Sequence, residues 1–246
     1  MVLCGIRIAE AGVRFPPGPP NNMTNSWDSV AEEFNTYKPA IWWGAVDNIA
    51  TVWPIFLDYI KNNSTTSKRA LEFGCGTGMF CLELKKLGYE VTGIDISPEM
   101  IKIGKKNLDS SIKLLVGGPE IALEQTNQYG KFDLVSSIMV LQFIEDVNLK
   151  LLANSIKQNG HIIFTNHSPL MLEARGVEDH FFVGPNKVPV RIYKRTAEDY
   201  DKIFLNLGFK KTLETSAQSS PEVMEKYAID RPLDIRKYLI LAYQKI

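Results

Sequence analysis

Residues 71–78 of the chain read Leu-Glu-Phe-Gly-Cys-Gly-Thr-Gly. The segment Ala70–Phe73 predicts a strand that ends at Gly74, and the residues after Gly78 predict a helix that reaches about Leu87. Glycine at such a turn lets the backbone bend sharply, and without a Cβ it lets a ligand approach the backbone closely. The stretch therefore predicts a ligand-binding loop between a strand and a helix.

A carboxylate after the next predicted strand indicates what that ligand contains. The strand spans Tyr89–Ile94, and Asp95 follows it, 21 residues after Gly74. A carboxylate in that place can accept hydrogen bonds from both hydroxyls of a ribose. The loop and Asp95 together predict an adenosine-containing ligand. A tight strand–helix turn without a ligand is the alternative interpretation.

The spacing of the glycines distinguishes between adenosine cofactors. A dinucleotide fingerprint, G-x-G-x-x-G, needs glycine at position 79, where this chain has Met79. The chain instead has G-x-G-x-G, with Glu72 in front of it. The negative charge of Glu72 would repel a pyrophosphate and suit the ammonium group of a methionine. The pattern therefore favours a cofactor with a methionine end over a dinucleotide.

Strand and helix patterns alternate on both sides of the loop. Further strands are predicted at 112–116, 132–137, 161–165 and 238–243, and helices start at Ser97, at Glu145 (to Lys157) and at Thr196. Two helical segments precede the loop, one from Trp27 and one over 41–59 with a kink at Pro54. The alternation predicts an α/β fold with a mostly parallel sheet and helices on both faces. Ligands of such sheets bind at the carboxyl ends of the strands.

Composition and charge restrict the class of protein. The 246 residues suit one α/β domain, and 28 Lys and Arg balance 28 Asp and Glu, so no broad basic face for nucleic acid is expected. Cys4, Cys75 and Cys81 form no disulfide or metal-ligand pattern, which predicts no metal site and a reducing, cytoplasmic compartment. No apolar run is long enough to predict membrane insertion. Residues 1–24, which are Pro/Gly-rich over Phe15–Asn22, predict an extension outside the domain and not a signal peptide.

Several stretches resemble class I S-adenosylmethionine-dependent methyltransferases. They are LEFGCGTG (71–78), VTGIDISPEM (91–100), FDLVSSIMVLQFIED (132–146) and NGHIIF (159–164). A downstream stretch, YKRTAEDYDKIFLNLGF (193–209), is similar to an element of the branch that acts on small molecules. The resemblance implies a Rossmann-like fold, with a seven-stranded, mostly parallel sheet whose last strand runs antiparallel.

The same resemblance implies a division of the chain into functional segments. The methyltransferase domain would span 25–246. Within it, the resemblance implies a helical cap (25–65), a cofactor-binding core (66–166), a substrate-side insertion (167–195) and a C-terminal helix with strands (196–246).

The resemblance also implies which residues hold the cofactor. The methyl donor would be S-adenosylmethionine and the product S-adenosylhomocysteine. The implied binding residues are Tyr37, Glu72, Gly74, Cys75, Gly76, Gly78, Asp95, Ile96, Met100, Gly118, Ser137 and Ile138. The chain departs from the family after the third strand, where Gly117-Gly118 replaces the usual Gly-Asp that contacts the adenine. Glu120 is the nearest acid that could substitute.

Three residues are candidates for the catalytic chemistry. Methyl transfer is an in-line displacement, so a base is needed only where the acceptor must lose a proton. His167 follows the fifth strand, and His180 lies in the insertion. Gln142 stands where relatives often have His, and it could orient a substrate but cannot act as a base. A surface or structural role is the alternative for each histidine.

Aromatic residues predict the chemistry of the methyl acceptor. Trp42, Phe181 and Tyr193 are expected to line its pocket, which favours a small apolar or aromatic molecule. Packing of the helices onto the sheet is the alternative role for such rings. Oxygen or nitrogen is expected to receive the methyl group more readily than carbon. The chain is expected to act as a monomer or homodimer.

Two other functions are open from the sequence. An RNA methyltransferase is disfavoured because residues 136–139 read Ser-Ser-Ile-Met, where enzymes that methylate base nitrogens often have Asn/Asp-Pro-Pro-Tyr. A protein methyltransferase is not excluded in this way. A non-catalytic, cofactor-binding scaffold is the second alternative.

Overall fold

The computed structural model of the protein describes residues 26–32, 48–63, 68–183, 186–218, 220, 221, 225 and 238–246. The predicted extension 1–24, Tyr37 and Trp42 lie outside these residues. The strands are β1 Arg69–Phe73, β2 Glu90–Asp95, β3 Lys113–Val116, β4 Phe132–Ile138, β5 Ile156–His167, β6 His180–Val183, β7 Val188–Arg191, β8 Phe209–Ala217 and β9 Tyr238–Lys245. The helices are α1 Trp53–Asn62, α2 Met79–Lys86, α3 Pro98–Asn107, α4 Pro119–Tyr129, α5 Asp146–Asn154, α6 Pro169–Ala174 and α7 Ala197–Leu205, with a short 3₁₀ turn at Leu141–Phe143.

Seven of the described strands form one sheet in the order β3-β2-β1-β4-β5-β9-β8. Strands β1 to β5 pair in parallel, and β9 runs antiparallel to both of its neighbours, β5 and β8. The predicted fold class, with its seven strands and antiparallel last strand, is therefore confirmed. Strands β6 and β7 form a separate hairpin within the predicted insertion.

The strand order reverses between β1 and β4. From β1 the chain builds outward to β2 and β3, and it then crosses back to place β4 and β5 on the other side. The connections on either side of such a switch point diverge and leave a crevice at the carboxyl ends of the strands. The glycine turn after β1 opens onto this crevice.

Two apolar layers cover the sheet, one on each face. On the first face α1, α2 and α3 pack through Phe56, Phe80 and Ile101. On the second face α5 and α7 pack through residues such as Leu149 and Phe204. The alternation of side chains along each strand sends neighbouring residues into different layers.

Local capping chemistry sets several helix boundaries. Ser97 caps α3, because its Oγ accepts a hydrogen bond from the Met100 amide at 3.1 Å. Thr196 and Asp199 form the capping box that starts α7. Both starts were predicted. The predicted helix over 145–157 was too long: α5 ends at Asn154 and β5 already begins at Ile156.

The helical residues before β1 pack on the first apolar layer of the sheet. Helical residues 48–51 end at Val52, and α1 begins at Trp53 with Pro54 in its first turn, where the missing amide hydrogen costs nothing. Trp53 makes an edge-on contact with Phe80, which follows the glycine turn by two residues, at 5.2 Å between ring centroids.

None of the helices in the described residues is both long and apolar enough to span a membrane.

Candidate active site

Polar side chains from four adjacent strands share one face of the sheet near its carboxyl edge. Glu72 on β1 lies opposite Gly93 on β2 and Ser136 on β4. Asp95 is two residues after Gly93, and therefore points to the same face. The register of β4 and β5 places His167 on that face as well. The edge thus runs from Asp95 through Glu72 and Ser136 to His167.

The glycine loop, residues 74–78, has a backbone that only glycine adopts readily. Gly74, Gly76 and Gly78 have φ values of +74°, +54° and +82°. A Cβ on Gly74 would overlap the side chain of Val140. A Cβ on Gly76 would meet nothing within 4 Å. Gly74 is therefore required by packing, whereas Gly76 presents bare backbone to open space, where a ligand can approach.

Asp95 holds the loop from the end of β2. Its Oδ2 accepts a hydrogen bond from the Gly76 amide at 2.8 Å, and its Oδ1 accepts one from the Ser97 amide at 2.9 Å. Burial raises the pKa of this carboxyl group, and the backbone hydrogen bonds partly oppose that effect. The carboxylate oxygens can accept more hydrogen bonds than those from the backbone, so Asp95 can also accept from hydroxyl groups of a ligand.

Asp28 lies in the N-terminal segment, residues 26–32, and its side chain reaches the start of α3 next to Asp95. Its Oδ1 accepts hydrogen bonds from the Ser97 hydroxyl and, at 3.3 Å, from the Glu99 amide. A carboxylate is favourable at the start of α3 because the amides there are unpaired and the helix dipole is positive. The N-terminal segment is thereby attached beside Asp95, and its charge contributes to raising the pKa of Asp95.

Glu72 is a buried acid at the centre of the edge. Its side chain is 2% exposed, and it accepts a hydrogen bond from the Ser136 hydroxyl. Burial raises its pKa to about 8. No lysine or arginine in the described part of the chain forms an ion pair with it. A buried carboxyl group without a cationic partner fits a ligand that brings positive charge.

The expected cofactor fits this set of groups. S-adenosylmethionine combines ribose hydroxyls with a positively charged ammonium and sulfonium. Asp95 offers acceptors to the hydroxyls, Gly76 leaves room at the backbone, and Glu72 is a carboxyl group on the same face that can ionise beside the positive charges of the cofactor. A pyrophosphate would meet the acids Asp95 and Glu72 there, which agrees with the glycine spacing.

The other predicted cofactor residues differ in what their side chains reach. Met100 is buried against Val30 and Ala31 of the N-terminal segment. The Cys75 side chain points away from the loop into the core, because its Sγ lies 2.9 Å from where a Cβ of Gly93 would be. Cys75 can therefore offer a ligand only its backbone.

The remaining predicted cofactor residues lie after β2, β3 and β4. Ile96 follows Asp95 and is partly exposed, and Ile138 ends β4 beside the first apolar layer. Ser137 points to the opposite face, where its Oγ donates to the Phe73 carbonyl at 2.9 Å. The Gly118 amide donates to the Glu120 Oε1 at 2.7 Å, so the acid proposed as a substitute on adenine already has a partner at the start of α4.

Gln142 and His167 meet at the β5 end of the edge. The Oε1 of Gln142 lies 3.0 Å from the backbone nitrogen of His167 and 3.1 Å from its Nδ1. The Gln142 side chain belongs to a residue only 2% exposed, and its Nε2 donates to the Met139 carbonyl at 3.3 Å. Met139 itself has a φ of +64°, a conformation that non-glycine residues adopt rarely and that clusters at functional sites.

Aromatic rings surround His167. Its imidazole stacks against Phe181 and Tyr238, with centroids 6.1 Å away in both cases. Phe181 also contacts Phe143, which in turn contacts Trp27 of the N-terminal segment at 5.6 Å. The hairpin β6–β7, the 3₁₀ turn and the N-terminal segment therefore form one aromatic wall beside the histidine.

The other two predicted residues of the insertion, His180 and Tyr193, make their described side-chain contacts with residues other than His167. The His180 side chain is 44% exposed and forms a hydrogen bond to the neighbouring Asp179 carboxylate at 2.7 Å. The Tyr193 ring packs under the guanidinium groups of Arg191 and Arg195, and its hydroxyl donates to Glu145 at 3.1 Å. The described contacts connect Tyr193 to the site through its amide, which donates to the Gln142 carbonyl at 2.7 Å.

Two residues that were not predicted hold the 3₁₀ turn in place. The Asn166 side chain accepts a hydrogen bond from the backbone N–H of Gln142 at 3.1 Å and donates one to the Tyr200 hydroxyl at 2.7 Å. Arg195 is 9% exposed and donates to the carbonyls of Leu141 and Ile144. The sequence signal for this network was the stretch 193–209, which contains Arg195 and Tyr200. The sequence does not show which residues these two side chains contact.

Comparison with curated proteins finds ubiquinone biosynthesis O-methyltransferases among the relatives. The relative from Xanthomonas oryzae pv. oryzae (strain PXO99A) is 29% identical over 140 residues, which is 52% of this chain and 57% of that protein. The relative from Bordetella avium (strain 197N) is 27% identical over 140 residues, covering 53% of this chain and 58% of its own length. The chain thus aligns with little more than half the length of these relatives.

Solved structures share the fold over almost the whole chain. A SAM-dependent methyltransferase from Anabaena variabilis ATCC 29413 superposes with a TM-score of 0.65 at 16% identity, covering 95% of this chain and 99% of that one. Magnesium protoporphyrin IX methyltransferase from Synechocystis PCC 6803, with bound SAH, superposes with a TM-score of 0.62 at 16% identity, covering 91% and 98%. At these identities the likeness concerns the fold.

A family model establishes what the fold alone does not. The model of the methyltransferase domain matches residues 48–214, which is more than half of the chain and includes the glycine loop, Asp95 and His167. Because of this match, the chain belongs to the family of class I methyltransferase domains, whose methyl donor is S-adenosylmethionine.

Proposed function

We propose that this domain transfers a methyl group to a hydroxyl oxygen of a small aromatic molecule. The observation that carries the proposal is the position of His167. Its ring lies on the same face and edge of the sheet as Asp95 and Glu72, and it is stacked between Phe181 and Tyr238. A basic nitrogen within an aromatic wall suits a planar acceptor that must lose a proton.

Each residue along the carboxyl edge would have a different role in the reaction. Asp95 would hold the ribose of the cofactor, and Glu72 would face its positive end. When bound, S-adenosylmethionine would supply an activated methyl group on a sulfonium, and S-adenosylhomocysteine would be the product. His167 would take the hydroxyl proton as the oxygen–carbon bond forms. Phe143, Phe181 and Tyr238 would exclude water and orient the acceptor ring.

The choice of oxygen over nitrogen rests on two supports. A hydroxyl must lose its proton on methylation, which gives a positioned histidine a task. Relatives that align with about half of their length carry the name ubiquinone biosynthesis O-methyltransferase. An aromatic amine acceptor, with an N-methyl product, is the nearest alternative within the same pocket.

An RNA methyltransferase and a scaffold are less well supported than this function. Lysine and arginine balance the acids in number, so an extended basic face that would bind RNA is not expected. A scaffold without chemistry would not need a buried glutamine beside a stacked histidine at the end of β5.

The proposal can be tested with cofactor that carries an isotopically labelled methyl group. The protein would be incubated with an extract of the source organism and, separately, with matched aromatic compounds bearing a hydroxyl, an amine or an already methylated oxygen. We expect label in the small-molecule fraction and on the hydroxyl compounds. Label in RNA or protein would contradict the substrate class, and label on the amines alone would contradict the acceptor atom. Cofactor binding without any transfer would favour the scaffold.

A further inference from the structure

We infer that Gln142 is a positioning residue, which holds His167 in the tautomer with hydrogen on Nδ1 and so makes Nε2 the basic nitrogen. The structural part of this inference concerns the contact between two described side chains. The catalytic consequence rests on the proposed function, in which His167 accepts the proton of the hydroxyl.

The orientation of the Gln142 amide follows from backbone groups. The backbone nitrogen of His167 can only donate, and it lies 3.0 Å from one end of the amide. That end must therefore be the oxygen, Oε1. The opposite end lies 3.3 Å from the Met139 carbonyl, which can only accept, so it must be the NH₂ group. The two contacts agree, which removes the usual ambiguity between the ends of a glutamine amide.

The tautomer of His167 follows from that orientation. Nδ1 lies 3.1 Å from the same Oε1, and an amide oxygen can only accept. A neutral imidazole carries hydrogen on one nitrogen and a lone pair on the other. With the hydrogen on Nδ1, the lone pair belongs to Nε2, which is the nitrogen that can take a proton.

The geometry is held from several directions. The backbone of Gln142 is held at both of its polar groups. Its N–H donates to the Asn166 Oδ1, and its carbonyl oxygen accepts from the Tyr193 N–H at 2.7 Å. The ring of His167 is restrained by its stacking between Phe181 and Tyr238. Because the residue is 2% exposed, water competes little for the Gln142 oxygen.

A glutamine serves this purpose in a way that a carboxylate would not. A carboxylate beside Nδ1 would also favour the tautomer, but it would add a negative charge next to the ring and so favour the imidazolium form. A neutral amide fixes the position of the hydrogen without adding charge. His167 can therefore be oriented and still be neutral before it takes a proton.

The test is a two-bond ¹H–¹⁵N NMR spectrum of the cofactor-free protein with ¹⁵N-labelled histidine. The chain has three histidines, so His161→Asn, His167→Asn and His180→Asn variants assign the signals. We expect the Nδ1–H pattern for His167 in the unsubstituted protein. An Nε2–H pattern there would overturn the inference, whatever the variants of Gln142 do.

Two variants of Gln142 separate positioning from general structure. Gln142→Met removes the acceptor at similar size, and we expect His167 to lose its preference for Nδ1–H and kcat to fall about 10-fold, with KM for cofactor and acceptor unchanged. Gln142→Glu keeps an acceptor oxygen and should keep hydrogen on Nδ1, with a larger fraction of the imidazolium form than in the unsubstituted protein. A Gln142→Met variant that folds and keeps the Nδ1–H pattern would contradict the inference.

The outcome for Gln142 is distinguishable from the outcome for the proposed function. If His167 shows the Nδ1–H pattern but His167→Asn keeps full transfer activity, the role of His167 as base is wrong and the positioning contact stands. If His167→Asn loses activity while the unsubstituted protein shows the Nε2–H pattern, the base stands and the inference about Gln142 is wrong.

Discussion

The two halves of the carboxyl edge are built in different ways. The half that holds the cofactor in our proposal (the cofactor half), from β1 to β2, consists of a loop backbone in unusual conformations and the acids Glu72 and Asp95. The half that holds the acceptor in our proposal (the acceptor half), around the ends of β4 and β5, consists of side chains from distant parts of the sequence. Gln142 and His167 are 25 residues apart, and Tyr238 is brought to His167 by β9.

The difference matches what each half must recognise. A common cofactor presents the same ribose and the same positive charges to every enzyme that uses it, so a compact loop of fixed backbone can hold it. An acceptor differs between enzymes, and its pocket is made of side chains and a hairpin that can be exchanged without disturbing the sheet. The following variants test whether the two halves are separate in this protein.

The largest effect is expected at the acceptor half. His167→Asn should lower kcat for a hydroxyl acceptor about 10²- to 10⁴-fold, the usual range for loss of a general base, and leave the cofactor Kd unchanged. His180→Asn is the matched control, because that exposed side chain pairs only with Asp179 among the described contacts, and it should keep activity within about twofold. Turnover is measured with labelled cofactor and binding by calorimetry. A parallel loss of cofactor affinity in His167→Asn would show that the halves are not separate.

The next effect concerns the charge of Glu72 in the cofactor half. Because burial raises its pKa to about 8, the folded, cofactor-free protein holds a proton there that the unfolded chain releases near pH 4.5. The stability from this group is complete below about pH 4.5 and is lost as pH rises towards 8. Glu72→Gln should remove that loss and be more stable than the unsubstituted protein by about 2–4 kcal/mol at pH 8, with a smaller difference at pH 5.

Denaturant unfolding of both proteins at pH 5, 6.5 and 8 measures the difference. Glu90→Gln is the control for removal of an exposed carboxylate at the start of β2, and it should not reproduce the gain in stability at pH 8. A constant difference for Glu72→Gln across the three pH values would mean that Glu72 is ionised in the folded protein.

The smallest effect is expected for the ribose contact. Asp95→Ala removes the acceptors for the cofactor hydroxyls and also the partners of the Gly76 and Ser97 amides. We expect cofactor binding to weaken by about 1–3 kcal/mol, the cost of unpaired polar groups, with the aromatic wall around His167 unaffected. Asp109→Ala, at the exposed end of α3, should bind as the unsubstituted protein does. Unchanged calorimetric affinity for Asp95→Ala would place the ribose elsewhere.

Local patterns were enough for some elements and not for others. The starts of α3 and α7 were predicted because a cap is a contact between residues three apart. No strand was predicted over 209–217, because β8 lies at the edge of the sheet and five of its nine residues are exposed and polar. The strand has few apolar residues because one side of an edge strand faces solvent, so its sequence lacks the apolar pattern that predicts a strand.

The residues of the candidate site also fall into a group that the sequence predicted and a group that it did not. Glu72, the glycines and Asp95 were predicted from their spacing, and the structure brings them to one edge. Gln142 was predicted to orient a substrate, which stays a prediction, and the structure shows its side-chain amide in contact with His167. Asn166 and Arg195 were missed because a polar residue in a loop or strand end carries no sign of its partner.

The sequence by itself determined the α/β class, the loop that suits S-adenosylmethionine and the helix boundaries set by caps. These depend on backbone conformation and on contacts between residues near in the chain, which periodicity and residue type reveal. Only the tertiary structure decided which side chains surround His167 and which acceptor faces its Nδ1. Those depend on strand order and register, which bring Gln142, Phe181 and Tyr238 together across long separations that local periodicity does not encode.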